Sequence, residues 1–206
     1  MHSVNTSAEG WSRRRLAAAA GHLGDAGQAR ELLRDQDAEV RAAALAALVR
    51  CGHAADEDLA SALQDRAASV RRRAVELAAA RPGVELAAGL ADEDPMVVEA
   101  ACFACGERAE LGGVPEPTLA ALTEVAGIHD DPLCRESAVA ALGALGEPGT
   151  LAVILAALGD KPAVRRRAVL ALASFEGPDV DAALARALDD RDWQVRQAAE
   201  DLLDLD

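Results

Sequence analysis

Cys102 and Cys105 form a Cys-x-x-Cys pair, the spacing at which two thiols can hold zinc or cycle through a disulfide. Cys51, Cys134 and four histidines, His2, His22, His53 and His129, complete the set of softer metal ligands. Three arginine triplets, Arg13 to Arg15, Arg71 to Arg73 and Arg165 to Arg167, carry planar cations suited to carboxylates or phosphates. No Gly-rich phosphate loop, Ser-His-Asp set or nucleophile elbow stands in a suitable context, and Gly112-Gly113 is too slight to count. What these groups can do depends on where the elements that carry them place each side chain.

Those elements repeat. Asp-Arg-Ala-Ala-Ser-Val-Arg-Arg-Arg-Ala-Val at 65–75 returns as Gly-Asp-Lys-Pro-Ala-Val-Arg-Arg-Arg-Ala-Val at 159–169. Anchor pairs follow at Val40-Arg41, Val70-Arg71, Val97-Val98, Cys134-Arg135, Val164-Arg165 and Val195-Arg196, in steps of 30, 27, 37, 30 and 31 residues. Such a period signals stacked supersecondary units, each reading as helix, tight turn, helix. In one unit, Thr150 to Leu158 is the first helix, Gly159-Asp160-Lys161 the break and Pro162 to Phe175 the second helix. Pro95, Pro132 and Pro162 suit the first turn of a helix, and Asp94 and Asp131 can cap the amides that follow them. Trp11 to Gly24 resembles a second helix without a first, and residues 1–10 read as a disordered leader before an array spanning 11–206. The lengthened 37-residue third step holds Glu110 to Pro117, an exposed connection.

The register of the second helix sorts the chemistry. The column five residues past the anchor reads Leu45, Val75, Cys102, Val139 and Val169, then Glu200 at the end, where a polar residue marks a terminal cap. Cys105 shares a column with Leu48, Ala78, Leu142 and Leu172, Cys134 is itself an anchor, and Cys51 aligns with Leu145 and Phe175. All four cysteines are therefore expected to be buried and unligated, as small apolar residues; metal or redox work is the alternative this register disfavours. The side opposite the buried stripe carries Arg14, Arg15, Arg72, Arg73, Arg166 and Arg167, against Glu99 and Glu136. A further exposed column reads Ala18, Ala46, Glu76, Phe103, Ala140, Leu170 and Asp201, where Phe103 and Leu170 have no core role. Arg72 can also pair with Glu76 on its own helix, and Phe103 can fold onto its own helix. Trp11 and Trp193 fall at the two ends, as cap packing.

Composition narrows the classes. Hydrophobic residues make up 51% of the chain but aromatics only 2%, so the core must be built from Ala, Leu and Val, which lets helices approach closely. A net charge of −14 opposes nonspecific attraction to nucleic acid or anionic lipid. The absence of an apolar run near the N-terminus, or of about 18 apolar residues anywhere, points to a cytoplasmic protein. Abundant Arg, Ala and Gly beside scarce Lys is the bias of a GC-rich bacterial genome.

An Asp-bearing turn followed by Val-Arg, then Ala and Leu at helical spacing, resembles the HEAT repeat, and the short period is most similar to the bilin-lyase type of HEAT-like repeat. The resemblance covers about residues 11–206 and implies an all-α, right-handed α-solenoid of about seven HEAT-like helical hairpins. It also implies a ladder of turn Asp with anchor Arg: Asp35 or Asp37 with Arg41, Asp65 with Arg71, Asp131 with Arg135, Asp160 with Arg165, and Asp190 or Asp192 with Arg196. Val98 breaks that pattern and leaves Asp92 and Asp94 without the partner. The iron hydroxylases of this class use repeated His-Glu pairs, whereas the four histidines here precede Ser, Leu, Ala and Asp, so no cofactor or metal is expected. In HEAT arrays the side bearing Arg14, Arg15, Arg72, Arg73, Phe103, Arg166, Arg167 and Leu170 faces the concave groove. The resemblance thus implies a non-catalytic scaffold that binds a protein or peptide there, by Arg around an apolar floor. The alternatives are a bilin-lyase-like or other enzyme accessory subunit and, less favoured, a nucleic-acid-binding protein.

Overall fold

The computed structural model describes the backbone of residues 3–204 and the side chains from Gly10 to Asp204. A lone helix α1 (Ser3–Leu23) is followed by helix pairs: α2 (Ala26–Leu32) with α3 (Ala38–Arg50), α4 (Asp56–Ala62) with α5 (Ala68–Ala78), and α6 (Ala87–Leu90) with α7 (Pro95–Glu107). Then come α8 (Glu116–Ile128) with α9 (Pro132–Leu145), α10 (Leu151–Ala157) with α11 (Pro162–Ala171), and α12 (Pro178–Ala187) with α13 (Trp193–Leu203). The array is thus six hairpins entered through one unpaired second helix. That helix takes in residues 3–10, expected above as a leader, because extending a helix already held by its packed part is far easier than starting one. Met1 and His2 lie outside the described residues.

Each turn is written into the sequence by its caps. Asp37, Asp94, Asp131 and Asp192 accept, through side-chain oxygens, the amide of the residue two positions on, each at 2.9 Å. Pro95, Pro132, Pro162 and Pro178 open their helices, where the absent N–H removes no bond. Second helices then stack in one row, α1 on α3, α3 on α5 and so on to α13, while each first helix packs against its own second helix. The core runs between the rows through the columns read above: Leu45, Val75, Cys102, Val139 and Val169 are all fully buried. Glu200, at the same place in α13, is exposed. The thin core allows very close approach. A Cβ on Gly143 would lie 2.6 Å from the Ala171 Cβ, so α9 and α11 meet with no room for a side chain.

The extra length in the third step goes less into loop than into α8, which has 13 residues where α6 has 4. Arg108, just before that connection, is 1% exposed, and its Nη2 donates to the carbonyls of Ala78, Arg81 and Val84 at 2.9, 3.0 and 2.7 Å. It ties the short unit around α6 to the end of α5. Burial holds the Arg108 pKa below its ordinary value.

The ladder is present but shifted by one repeat from the expected pairing. Arg41 binds Asp65 through Nε and Nη2 at 2.8 and 2.7 Å, Arg71 binds Asp92 at 2.7 and 2.7 Å, Arg135 binds Asp160 at 2.6 and 2.7 Å, and Arg165 binds Asp190 at 2.9 and 2.7 Å. Arg13 reaches Asp35 in the same way. Each anchor Arg meets its own turn only through backbone carbonyls, as Arg71 Nη1 does at Asp65 O and Arg196 Nη1 at Asp190 O. Asp37, Asp131 and Asp192 cap their own helices instead of joining a rung. Asp92 is not left unpaired. The interruption caused by Val98 falls on the following turn, where His129 stands in place of the rung Asp. With Nη1 held on the carbonyls of its own turn, each Arg directs its fork to the carboxylate of the next turn and not to its own.

Candidate functional site

The second helices turn one side toward solvent, and the residues expected to bind a partner lie there. Phe103 on α7 is 64% exposed and does not fold down onto its helix; Leu170 on α11 is 38% exposed. Phe103 stands between two depressions. One, of about 400 Å³, is lined by Arg72, Glu76, Met96, Glu99, Ala100, Phe103 and Ser137 from α5, α7 and α9. The other, of about 330 Å³, has small walls at Gly106, Ala140, Ala141 and Ala144, buried Cys102, and Glu136 and Arg167 at its polar side. A third of about 370 Å³ continues between α9 and α13 past Leu133, Arg166 and Gln194. The first two share Phe103 and Ser137, and the second and third share Glu136, so they form one trough across α5 to α13.

The arginines are in place but not bare. Arg72 and Arg73 both engage Glu76, at 3.4 and 2.7 Å, and Arg166 and Arg167 both approach Glu136, at 4.0 and 3.5 Å. The surface is a mixed-charge rim, not the basic groove expected from the triplets alone, because each pair of cations has a carboxylate within one helical turn or on the adjacent helix. The Arg167 Nε is shielded from solvent with no acceptor. Arg14 and Arg15 lie apart from the trough: they are on α1, which packs on α3, and Arg14 meets Glu39 at 3.6 Å with its guanidinium 5.9 Å from the Trp11 ring centre. Met96 and Leu133, 52% and 57% exposed, join the trough and were not singled out from the sequence. The column just before the anchor, Trp11, Glu39, Ser69, Met96, Leu133, Ala163 and Gln194, held that signal.

The thiols are quiet. Cys102, Cys105 and Cys134 are buried; Cys51 is half-buried, against the expectation, because it sits at the open end of α3 with Sγ directed to the Ala20 and Gly21 carbonyls. Burial, with the neighbouring Cys105 and Cys134, pushes the Cys102 thiol far up; burial pushes Cys105 up to about 12 and Cys134 to about 11. A thiolate is the form that attacks or ligates, so these side chains act as core. Among the described residues no group of three or more His, Cys, Asp or Glu could hold a metal ion. No described helix is long and apolar enough to cross a membrane.

A sequence profile described as HEAT repeats matches residues 84–163 and 119–204. No curated protein sequence matches the chain. Among solved structures, a designed armadillo repeat protein in complex with the peptide (KR)4 is 19% identical, over 86% of this chain and 97% of its own, with a TM-score of 0.63. YibA of E. coli is 18% identical over 91% of this chain and 72% of its own, with a TM-score of 0.65. An engineered protein is 20% identical over 87% and 95%, with a TM-score of 0.60. At these identities the likeness is one of fold.

Proposed function

Because the chain belongs to the HEAT-repeat family, in which stacked hairpins present broad surfaces and not closed active sites, we propose that it is a non-catalytic scaffold that binds a protein or peptide in the trough on its second helices. The observation that carries this reading is Phe103, an aromatic ring 64% exposed in a chain with 2% aromatics, set between two depressions. Exposed aromatic and Arg side chains around small-walled pockets are the composition from which interfaces draw most of their affinity. The designed armadillo neighbour, solved in complex with the peptide (KR)4, supports the reading as an array of similar fold that binds a peptide. Phe103, Leu170, Arg72, Arg73, Arg166 and Arg167 form the contact set, with Met96 and Leu133 added; Arg14 and Arg15 would extend it only for a partner long enough to cross α3.

Affinity capture from the native host with the wild-type chain and with Arg72, Arg73, Arg166 and Arg167 changed to Glu tests this. The partner retained by the wild type is lost by the variant, whose helicity and melting temperature stay close to wild type because these side chains are partly open to solvent and outside the core. Equal retention by both proteins would remove the arginines from the interface.

A further inference from the structure

The two ends of the array are finished differently. At α13 the open side carries Glu200, exposed, where α3 to α11 have a buried apolar residue; a polar outer face of this kind keeps a terminal repeat in solution. The other end has no such face. α1 packs on α3 through Ala17, Ala20 and Gly21, which meet Val40, Ala44 and Ala47. Those three residues of α3 are fully buried. Their equivalents on α1, in the register that the Arg13 rung fixes, are Ser12, Leu16 and Ala19, and all three are exposed, Leu16 by 45%. Leu23, one turn further along the same stripe, is 83% exposed. The side that every other second helix buries against its neighbour is thus left apolar and open on α1.

We infer that a second copy of this chain covers the stripe, α1 lying antiparallel on α1 across a two-fold axis. Such a contact is isologous: when residue i of one copy meets residue j of the other, j must also meet i. The spacing of Ser12, Leu16, Ala19 and Leu23 reads the same in both directions, so antiparallel pairing sets Ser12 against Leu23 and Leu16 against Ala19, each twice. Every contact then places a long side chain against a small one, the arrangement in which two helices interdigitate at full packing density. Parallel pairing sets Leu on Leu and leaves gaps at Ser12 and Ala19. The stripe holds no ionisable group, so pairing it buries no charge. It also continues the row in which each second helix stacks on the next. The two-fold stands perpendicular to the plane of that row, so both troughs open on the same side and join into a single longer surface. The contact lies at the edge of the array and stands or falls independently of what the trough binds.

Sedimentation velocity of the full chain over a range of concentrations is the test, and it shows a reversible monomer–dimer equilibrium. Raising the salt tightens the dimer, because each copy carries a net charge of −14 and the exposed Arg15 flanks the stripe on both. Changing exposed Leu16 and Leu23 both to Glu weakens it at least about tenfold and leaves the thermal melt unchanged, whereas Leu133→Glu, exposed in the trough, leaves the dimer as it was. Disulfide trapping in a Cys51→Ser background reads the orientation. Copies with Ser12→Cys and copies with Leu23→Cys crosslink when mixed. Leu23→Cys alone does not, since the antiparallel pair sets its two thiols apart by the run from position 12 to position 23, about 16 Å along a helix. A chain that stays monomeric throughout, a dimer that survives the Glu changes or that Leu133→Glu weakens equally, or a Leu23→Cys self-crosslink overturns the proposal. A monomer that captures a different protein through Leu16 and Leu23 also overturns it, in favour of a helix from that partner.

Discussion

Replacing Arg165 by Met removes one rung at its best-buried point while keeping an unbranched, apolar side chain of similar reach. Arg165 is 4% exposed; it donates twice to Asp190, at 2.9 and 2.7 Å, and once to Asp160 O at 2.9 Å. Removing one partner of a buried ion pair leaves the other charge poorly solvated, which costs about 3–5 kcal/mol; because Asp190 is 17% exposed and keeps its bond to the Asp192 amide, about 3 kcal/mol is the expected loss. Asp190→Ala loses about as much, and the double variant falls short of the sum by at least about 1.5 kcal/mol, since the second change relieves the charge left by the first. Arg196 is the internal control. Its one rung contact is Asp190 O at 2.7 Å, so Arg196→Met loses about 1 kcal/mol. Urea unfolding followed by circular dichroism gives the cycle, and hydrogen exchange over residues 178–203 shows whether the last hairpin opens first, as expected of an array with nearest-neighbour coupling. The pH dependence has a definite sign. Asp160 and Asp190 are held below the usual carboxylate value chiefly by hydrogen bonds from Arg135 and Arg165, while at Asp65 and Asp92 burial raises the pKa but is outweighed by the bonds from Arg41 and Arg71, the amides of Ala67 and Asp94 and the nearby Arg charges together. Their contribution is therefore full above about pH 4, the unfolded value, and is lost as pH falls through the lower folded values, so the gap between wild type and Arg165→Met closes toward pH 2. Single changes that each cost less than about 0.5 kcal/mol, or a strictly additive cycle, would refute the ladder as a structural device.

Val169→Asp places an unpaired carboxylate at a fully buried position and unfolds the array, whereas Glu200→Val, at the exposed equivalent in α13, is tolerated; thermal melts of both proteins check this. A bulky thiol reagent at neutral pH labels native Cys51 first and leaves Cys102, Cys105 and Cys134 unmodified until unfolding, as mass spectrometry will show by site. Phe103→Ala leaves the urea midpoint within error of wild type but weakens partner binding by roughly 1–3 kcal/mol; a loss of folding stability of about 3–5 kcal/mol would make the ring a core residue instead.

The repeat period, the buried columns and the caps were legible because each is a local pattern: Asp94-Pro95 and Asp131-Pro132 mark helix starts, and Leu45, Val75, Val139 and Val169 mark one core column. The ladder's register was not. Arg41, Arg71, Arg135 and Arg165 each have an Asp four to six residues before them and another 21 to 25 residues after, and composition cannot choose between them. The clue lay in a paired absence, Val98 where Arg is expected and His129 where the next rung Asp is expected. Arg108 was hidden for a different reason: a charged residue beside a Gly-rich connection reads as exposed, and only the three converging carbonyls account for its burial. Phe103, in the trough, and Leu170, exposed on α11, stood out as apolar residues off the core stripe. The pairing of its arginines with Glu76 and Glu136 was half visible, since Arg72 and Glu76 share a helix whereas Glu136 reaches Arg167 across helices.

The most direct test of the binding face is site-specific crosslinking. A photoreactive phenylalanine analogue is placed at Phe103 in the trough and, in a separate protein, at exposed Ala152 on α10 of the first-helix row. With the captured partner present, the account predicts a covalent adduct from position 103, none from position 152, and loss of the adduct when Arg72, Arg73, Arg166 and Arg167 are changed to Glu. Crosslinking from position 152 with none from 103 would place the partner on the opposite side of the array and contradict the central claim.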